Sequence, residues 1–307
     1  MTLKQHTGPL LGLLTVLCWA GYNVAAKHGV DTGLSPNALA FLRFAVPGLI
    51  VLPLLSALHL RGKAAGIPVR RLLSLVALGG PVFGLFAVSG YLHAPLSHGL
   101  LFAPVAVFVS GSLLGRLLLQ ERVSSRKLKG AALMFAGLAT LVGLDISGLG
   151  ASWAMGAAFF VLAGTMWGGY TVLLRLWQIP MIEGTLSVAG ASSIIAVPVL
   201  GVTASETLLM MAPADLIFQI IMQGLVGGVF SVAALIGAVR LLPAHVAALL
   251  PVFTPVVALG IAASVSGTLP GTAEISGALI IIAGFVTSLG ISPGKLWPTT
   301  PTATPHS

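Results

Sequence analysis

Runs of about 20 apolar residues, separated by short polar breaks, recur along almost the whole chain. As an α-helix rising ~1.5 Å per residue, such a run crosses the ~30 Å hydrocarbon core of a bilayer. Ten runs can be placed, at about 8–27, 35–58, 72–92, 96–118, 127–144, 154–174, 184–203, 216–240, 243–266 and 274–292. The pattern predicts an all-α integral membrane protein with ten transmembrane helices. The breaks carry turn chemistry, as in Asp31-Thr32-Gly33-Leu34-Ser35-Pro36, Arg61-Gly62-Lys63 and Gly148-Leu149-Gly150. Pro95 and Pro243 read as first-turn prolines of the fourth and ninth helices. Residues 293–307 are rich in Pro and Thr and read as a disordered tail.

Composition supports the membrane reading. Only 7% of the 307 residues are charged, against about 25% in a soluble domain, and the mean hydropathy is +1.05. Cys18 is the only cysteine, so no intramolecular disulfide can form. The first run lacks a small-residue cleavage site and is expected to be a retained helix.

The net charge of +8 can suggest a nucleic-acid partner, but the positions of the basic residues argue for topology instead. With the N-terminus inside, the inner segments hold Lys4; Arg61, Lys63, Arg70 and Arg71; Arg116, Arg122, Arg126, Lys127 and Lys129; Arg175; Arg240; and Lys295. Those are 13 of the 15 Lys and Arg. Lys27 falls outside, and Arg43 falls within the second helix. Asp31, Asp145, Glu206, Asp215 and Glu274 lie on the outer side. By the positive-inside rule both termini are expected in the cytoplasm.

The runs also repeat. Trp19-Ala20-Gly21-Tyr22 returns as Trp167-Gly168-Gly169-Tyr170, 148 positions later. Gly8 and Gly156, Gly79-Gly80 and Gly227-Gly228, and Pro95 and Pro243 share that offset. Near the ends of the halves the offset slips by one, as in Gly130/Gly277, Gly137/Gly284 and Gly143/Gly290. The expected units are residues 1–146 and 147–292, each with five helices. Five is odd, so the second unit enters the membrane from the opposite side. Such inverted repeats are typical of secondary transporters.

At the end of the fourth helix the chain reads Leu119-Gln120-Glu121-Arg122-Val123-Ser124, and Gly130 and Gly137 follow. The second copy keeps Pro255-Val256, Gly277, Ala278, Ala283 and Gly284. This resembles the signature of the drug/metabolite transporter superfamily, specifically its ten-helix exporters of the EamA type. Two departures stand out: Thr268 replaces the glutamate in the second copy, and Phe108 stands where the second copy has Pro255. The first copy's own proline, Pro104, aligns with Pro251. The resemblance implies a carrier of small organic metabolites in a bacterial cytoplasmic membrane. Amino-acid exporters, including the aromatic kind, and drug exporters are among the closest. No cofactor and no metal are expected.

Trp19 lies about 11 residues into the first helix and Trp167 about 13 into the sixth, so both fall near mid-bilayer. Tryptophan in spanning helices usually sits at the interfaces. Tyr22 and Tyr170, three residues on, share a helical side with them, and Asn23 and Thr171 add a polar group to each. One reading is an aromatic wall around a central substrate cavity; the other is packing between helices. Arg43 is roughly 12 Å inside the second helix, where a cation needs a partner. A substrate carboxylate, backbone carbonyls or the outer interface can each serve. Its counterpart in the second copy is Ala191.

Pro95 with His98, and Pro243 with His245, occupy equivalent corners on opposite sides. They are candidate gates or hinges, and ordinary helix starts are the alternative. The evenly spaced glycines of the fifth and tenth helices are read as a smooth packing face. Glu121 is expected to pair with Arg122 or Arg126 at the inner surface, or to latch an inner gate.

A carrier is the favoured function. No mid-helix pair of aspartates, His-Glu-x-x-His or Gly-x-Ser-Gly supports an intramembrane enzyme, and a channel is the other rival. No acidic residue is placed mid-helix, so facilitated diffusion or exchange is expected rather than a carboxylate proton relay. Proton-coupled drug export is the alternative. The expected partners are a small-molecule substrate and the bilayer, with no nucleic acid, and the protein is expected to be a monomer or weak homodimer.

Overall fold

The computed structural model describes residues 4–60, 66–121, 124–142, 152–242, 250–267 and 269–289. Every regular element among them is helical: α1 (Lys4–Asp31), α2 (Pro36–Leu60), α3 (Val69–Gly79), α4 (Pro81–Ser89), α5 (Leu96–Leu119), α6 (Ser125–Val142), α7 (Ser152–Leu176), α8 (Met181–Leu208), α9 (Pro213–Gln219), α10 (Ser231–Leu241), α11 (Leu250–Ser266) and α12 (Thr272–Leu289). A 3-10 turn, Gly90–Leu92, extends α4. A π-helical stretch, Ile220–Phe230, joins α9 to α10. A helix satisfies its backbone polar groups internally, which the hydrocarbon core demands.

Among the described residues, seven helical stretches are long and apolar enough to cross a membrane: Thr7–Asp31, Pro36–Ala57, Val69–Leu92, Leu96–Leu119, Ser152–Leu176, Ile182–Leu208 and Pro213–Ala238. This is the architecture of a multi-span membrane protein. The expected fifth, ninth and tenth spans correspond to the shorter α6, α11 and α12, of 18, 17 and 18 residues. Large apolar side chains such as Leu49, Leu117 and Val199 point outward, Leu49 with 79% of its surface exposed. In water that distribution is a liability; in lipid it is the expected surface.

Two glycine pairs, 148 positions apart in the sequence, mark departures from α-geometry. At Gly79-Gly80 the third run breaks: Gly80 leaves the helical region at φ −98°, ψ −148°, and Pro81 starts α4. A proline at the first turn has no N–H to lose to the helix ladder. Gly227-Gly228 lies inside the π-helical stretch, a geometry that is usually brief and often found at functional sites.

Close helix contacts carry the packing. α6 lies along α12, α5 along α7 and α2 along α8. α1 packs against α10, α11 and the π-helical stretch, while α7 packs against α3, α4 and α5. The α6–α12 contact shows why glycine recurs there. A Cβ on Gly130 would lie 2.5 Å from the Gly284 carbonyl oxygen, and one on Gly284 would lie 2.7 Å from that of Gly130. Only the bare backbone permits this approach, so the glycine face is a packing face.

Candidate functional site

A cavity of about 410 Å³ opens among the helices, within the ~300–1,000 Å³ range of small-molecule sites. α1 contributes Trp19, Tyr22 and Asn23, α2 contributes Arg43, and α7 contributes Trp167 and Phe160. α4 and the 3-10 turn add Phe83 and Tyr91, and α5 adds Gly99 and Pro104 among others. The remaining polar groups are Thr185, Ser231, Thr254 and Ser288, from four further helices. Most of the wall is apolar, and Arg43 is the only charged residue on it among the described residues.

The polar groups of α1 are tied into the wall. Asn23 donates through Nδ2 to the Trp19 carbonyl at 2.8 Å, and its Oδ1 accepts from the Tyr91 hydroxyl at 2.9 Å. Tyr91 is buried and meets Phe160 edge-on, with ring centroids 5.0 Å apart. Asn23 therefore positions a second aromatic as well as facing the cavity. Ser231 donates to the Gly227 carbonyl at 2.6 Å and Ser288 to that of Phe285 at 2.7 Å. The Thr254 hydroxyl is buried and has no hydrogen-bond partner among the described residues.

Arg43 lies with its Cζ 4.3 Å from the centroid of the Tyr22 ring, a cation–π geometry. One terminal guanidinium nitrogen is buried with no hydrogen-bond partner among the described residues. The ion pairs found among those residues are Lys27–Asp31 and Arg175–Glu121, and neither involves Arg43. A cation in a low-dielectric wall without a counter-charge favours the arrival of an anion.

The Trp167–Tyr170 face divides. Trp167 lines the cavity, stacked between Phe83 at 5.2 Å and Tyr170 at 4.9 Å. Tyr170 is not on the cavity wall: it is buried against Leu75, Val76 and Val188, and its hydroxyl bonds the Thr185 side chain. Thr171 also lies off the wall, donating to the Gly168 carbonyl of its own helix at 2.8 Å. Three residues advance a helix by about 300°, not a full turn, and the remaining rotation separates Tyr170 from the cavity.

Pro95 precedes α5 as its N-cap rather than sitting in the first turn. His98 is buried and stacks on Phe102 at 5.8 Å, with Trp153 edge-on at 6.2 Å. Neither ring nitrogen of His98 has a hydrogen-bond partner among the described residues. Pro243 and His245 lie outside the described residues. Glu121 pairs with Arg175 across the ends of α5 and α7, not with Arg126 on α6. The chain reverses at Gln120 in the left-handed region, φ 57°, which turns Glu121 back toward α7. Arg122 lies outside the described residues.

Tyr91 is among the wall residues that the sequence pattern concealed. It ends a glycine-rich run and has no counterpart in an obvious repeat. The available signal was its rarity, since the chain has three tyrosines and the other two stand in the repeated aromatic motif.

Comparison with known proteins places this architecture. No curated protein matches the chain. One solved structure, described as "Crystal structure of protein", aligns with 92% of this chain and 96% of its own. The TM-score is 0.57 at 20% sequence identity, a likeness that shows the fold alone. Residues 6–143 match the sequence pattern of the EamA-like transporter family. That match rests on α1 to α6, the segment that supplies Trp19, Tyr22, Asn23 and Arg43 to the cavity. Over α1 to α6 the chain is therefore similar to the EamA-like transporter family.

Proposed function

We propose that the protein is an alternating-access carrier that exports small amphiphilic metabolites, amino acids and aromatic ones among them, across a bacterial cytoplasmic membrane. The observation that carries this reading is the cavity itself, with Trp19 and Trp167, equivalent residues of the two sequence copies, both on its wall. In this reading the chain crosses the membrane ten times as two inverted five-helix units, with both termini inside. The helix contacts support it, because they fall into equivalent sets. α1 against the eighth run and α11 mirrors α7 against the third run and α5, while α2–α8 and α6–α12 are each a contact between equivalent helices. Two such halves can exchange conformations to open the site to either side.

Among the described residues, no acidic one lines the cavity. We therefore take transport to be facilitated diffusion or exchange down the substrate gradient. A second reading, proton-coupled export of drugs, draws on His98, buried in α5 without a hydrogen-bond partner. The test is uptake of radiolabelled phenylalanine and tryptophan into proteoliposomes. Saturable uptake of chemically unchanged label is expected. Uptake that rises linearly with concentration would indicate a channel, and recovery of altered label would indicate an enzyme.

A further inference from the structure

Arg43 sits about 10 Å into α2, seven residues after Pro36. Among the described residues, the cavity that its guanidinium faces has no carboxylate on its wall, and one terminal nitrogen has no hydrogen-bond partner. Contact with the Tyr22 ring offsets part of the cost of burial but supplies no hydrogen-bond acceptor and no counter-charge. Gly227 helps keep the group in place, since a Cβ there would come within 2.6 Å of that same nitrogen. The guanidinium is thus confined between Tyr22 and the π-helical backbone while its donor capacity is unfilled.

From this we infer that Arg43 is a carboxylate anchor, and that the cargo class is small organic acids with an aromatic or branched apolar body. The inference rests on the cavity being the substrate site, as proposed above. A guanidinium presents two parallel N–H donors that match a carboxylate. The apolar body then meets Trp19, Trp167 and Phe83. Among its described residues the wall offers no anionic group for an ammonium, so an amino acid is held by its carboxylate and its amine adds little. Carboxylates should therefore bind well, with or without an α-amine, and amines lacking a carboxylate should bind poorly.

The test compares 3-phenylpropionate, 3-phenylpropionamide, phenylalanine, phenylalanine amide and phenethylamine. Binding to the full chain in lipid nanodiscs is measured by titration calorimetry, and each compound's flux is measured in proteoliposomes. In the unaltered protein the two carboxylates should bind about tenfold or more tighter than their amides, the size expected for a charged hydrogen bond. Arg43→Gln should collapse that ratio toward one by weakening the acids, while Arg43→Lys, which keeps the charge but not the fork, should retain part of it. Equal binding of acids and amides by the unaltered protein overturns the anchor without needing any variant to fold. So does a ratio that survives Arg43→Gln, or binding by none of the series. Acids that bind selectively but do not cross the membrane would leave the anchor standing and remove the carrier reading. Acids and amides that bind and cross equally would do the reverse.

Discussion

Trp19 and Trp167 stand in matching Trp-x-Gly-Tyr stretches, yet their surroundings predict different consequences of losing the ring. Trp167 is held between Phe83 and Tyr170, with ring centroids 5.2 and 4.9 Å away. An aromatic pair contributes ~0.5–1.5 kcal/mol beyond area burial, so Trp167→Ala forfeits roughly 1–3 kcal/mol from these two pairs. Trp19 has no ring partner among the described residues and faces the cavity. Trp19→Ala should therefore reduce transport several-fold while leaving thermal stability close to normal. Trp167→Ala should reduce both, and Trp167→Phe should restore stability more than transport. The assay is transport per folded molecule, with fluorescence-detected size exclusion after a heating series counting the folded fraction. If Trp19→Ala and Trp167→Ala both transport normally per folded molecule, the indoles do not contact substrate. If Trp19→Ala loses as much stability as Trp167→Ala, the packing argument is wrong.

Three further outcomes follow from the same geometry. Gly130→Val should sharply lower the yield of folded protein, because its Cβ would lie 2.5 Å from the Gly284 carbonyl oxygen, whereas Gly260→Val, with nothing within 4 Å, should be tolerated; size-exclusion profiles of the two variants check this. In a Cys18→Ser background, cysteine at Ser205 should react with an impermeant thiol reagent from outside intact cells and cysteine at Ser125 should not. Labelling of position 125 would contradict the N-inside, ten-span arrangement. Flux into proteoliposomes at equal internal and external pH, with a protonophore present, should persist; its loss would direct attention to His98 as a proton site.

The helices were legible because apolar runs near 20 residues have one solution in a bilayer. The glycine face of α6 and α12 was legible because small residues at regular spacing let backbones meet. Trp19, Tyr22, Asn23, Arg43 and Trp167 drew attention as polar, aromatic or charged groups at membrane depth, and the structure brings all five to one cavity. Tyr170 and Thr171 were harder to place. Residues three apart share a broad side of a helix, but which of them reaches a cavity depends on the neighbouring helices. Here α3 and α8 enclose Tyr170. The Glu121–Arg175 pair joins two helices 54 positions apart, and local charge spacing gives no sign of it. The π-helical stretch is likewise invisible to periodicity, because a change from 3.6 residues per turn barely alters an apolar run without a polar face.

The carrier reading stands or falls on counterflow. Proteoliposomes are loaded with excess unlabelled 3-phenylpropionate or phenylalanine, and trace label of the same compound is added outside. A site that opens to one side at a time returns loaded with unlabelled cargo, so label should enter faster than into empty vesicles and overshoot its final level. Entry at the same rate with and without internal cargo, with no overshoot, would contradict alternating access through this cavity.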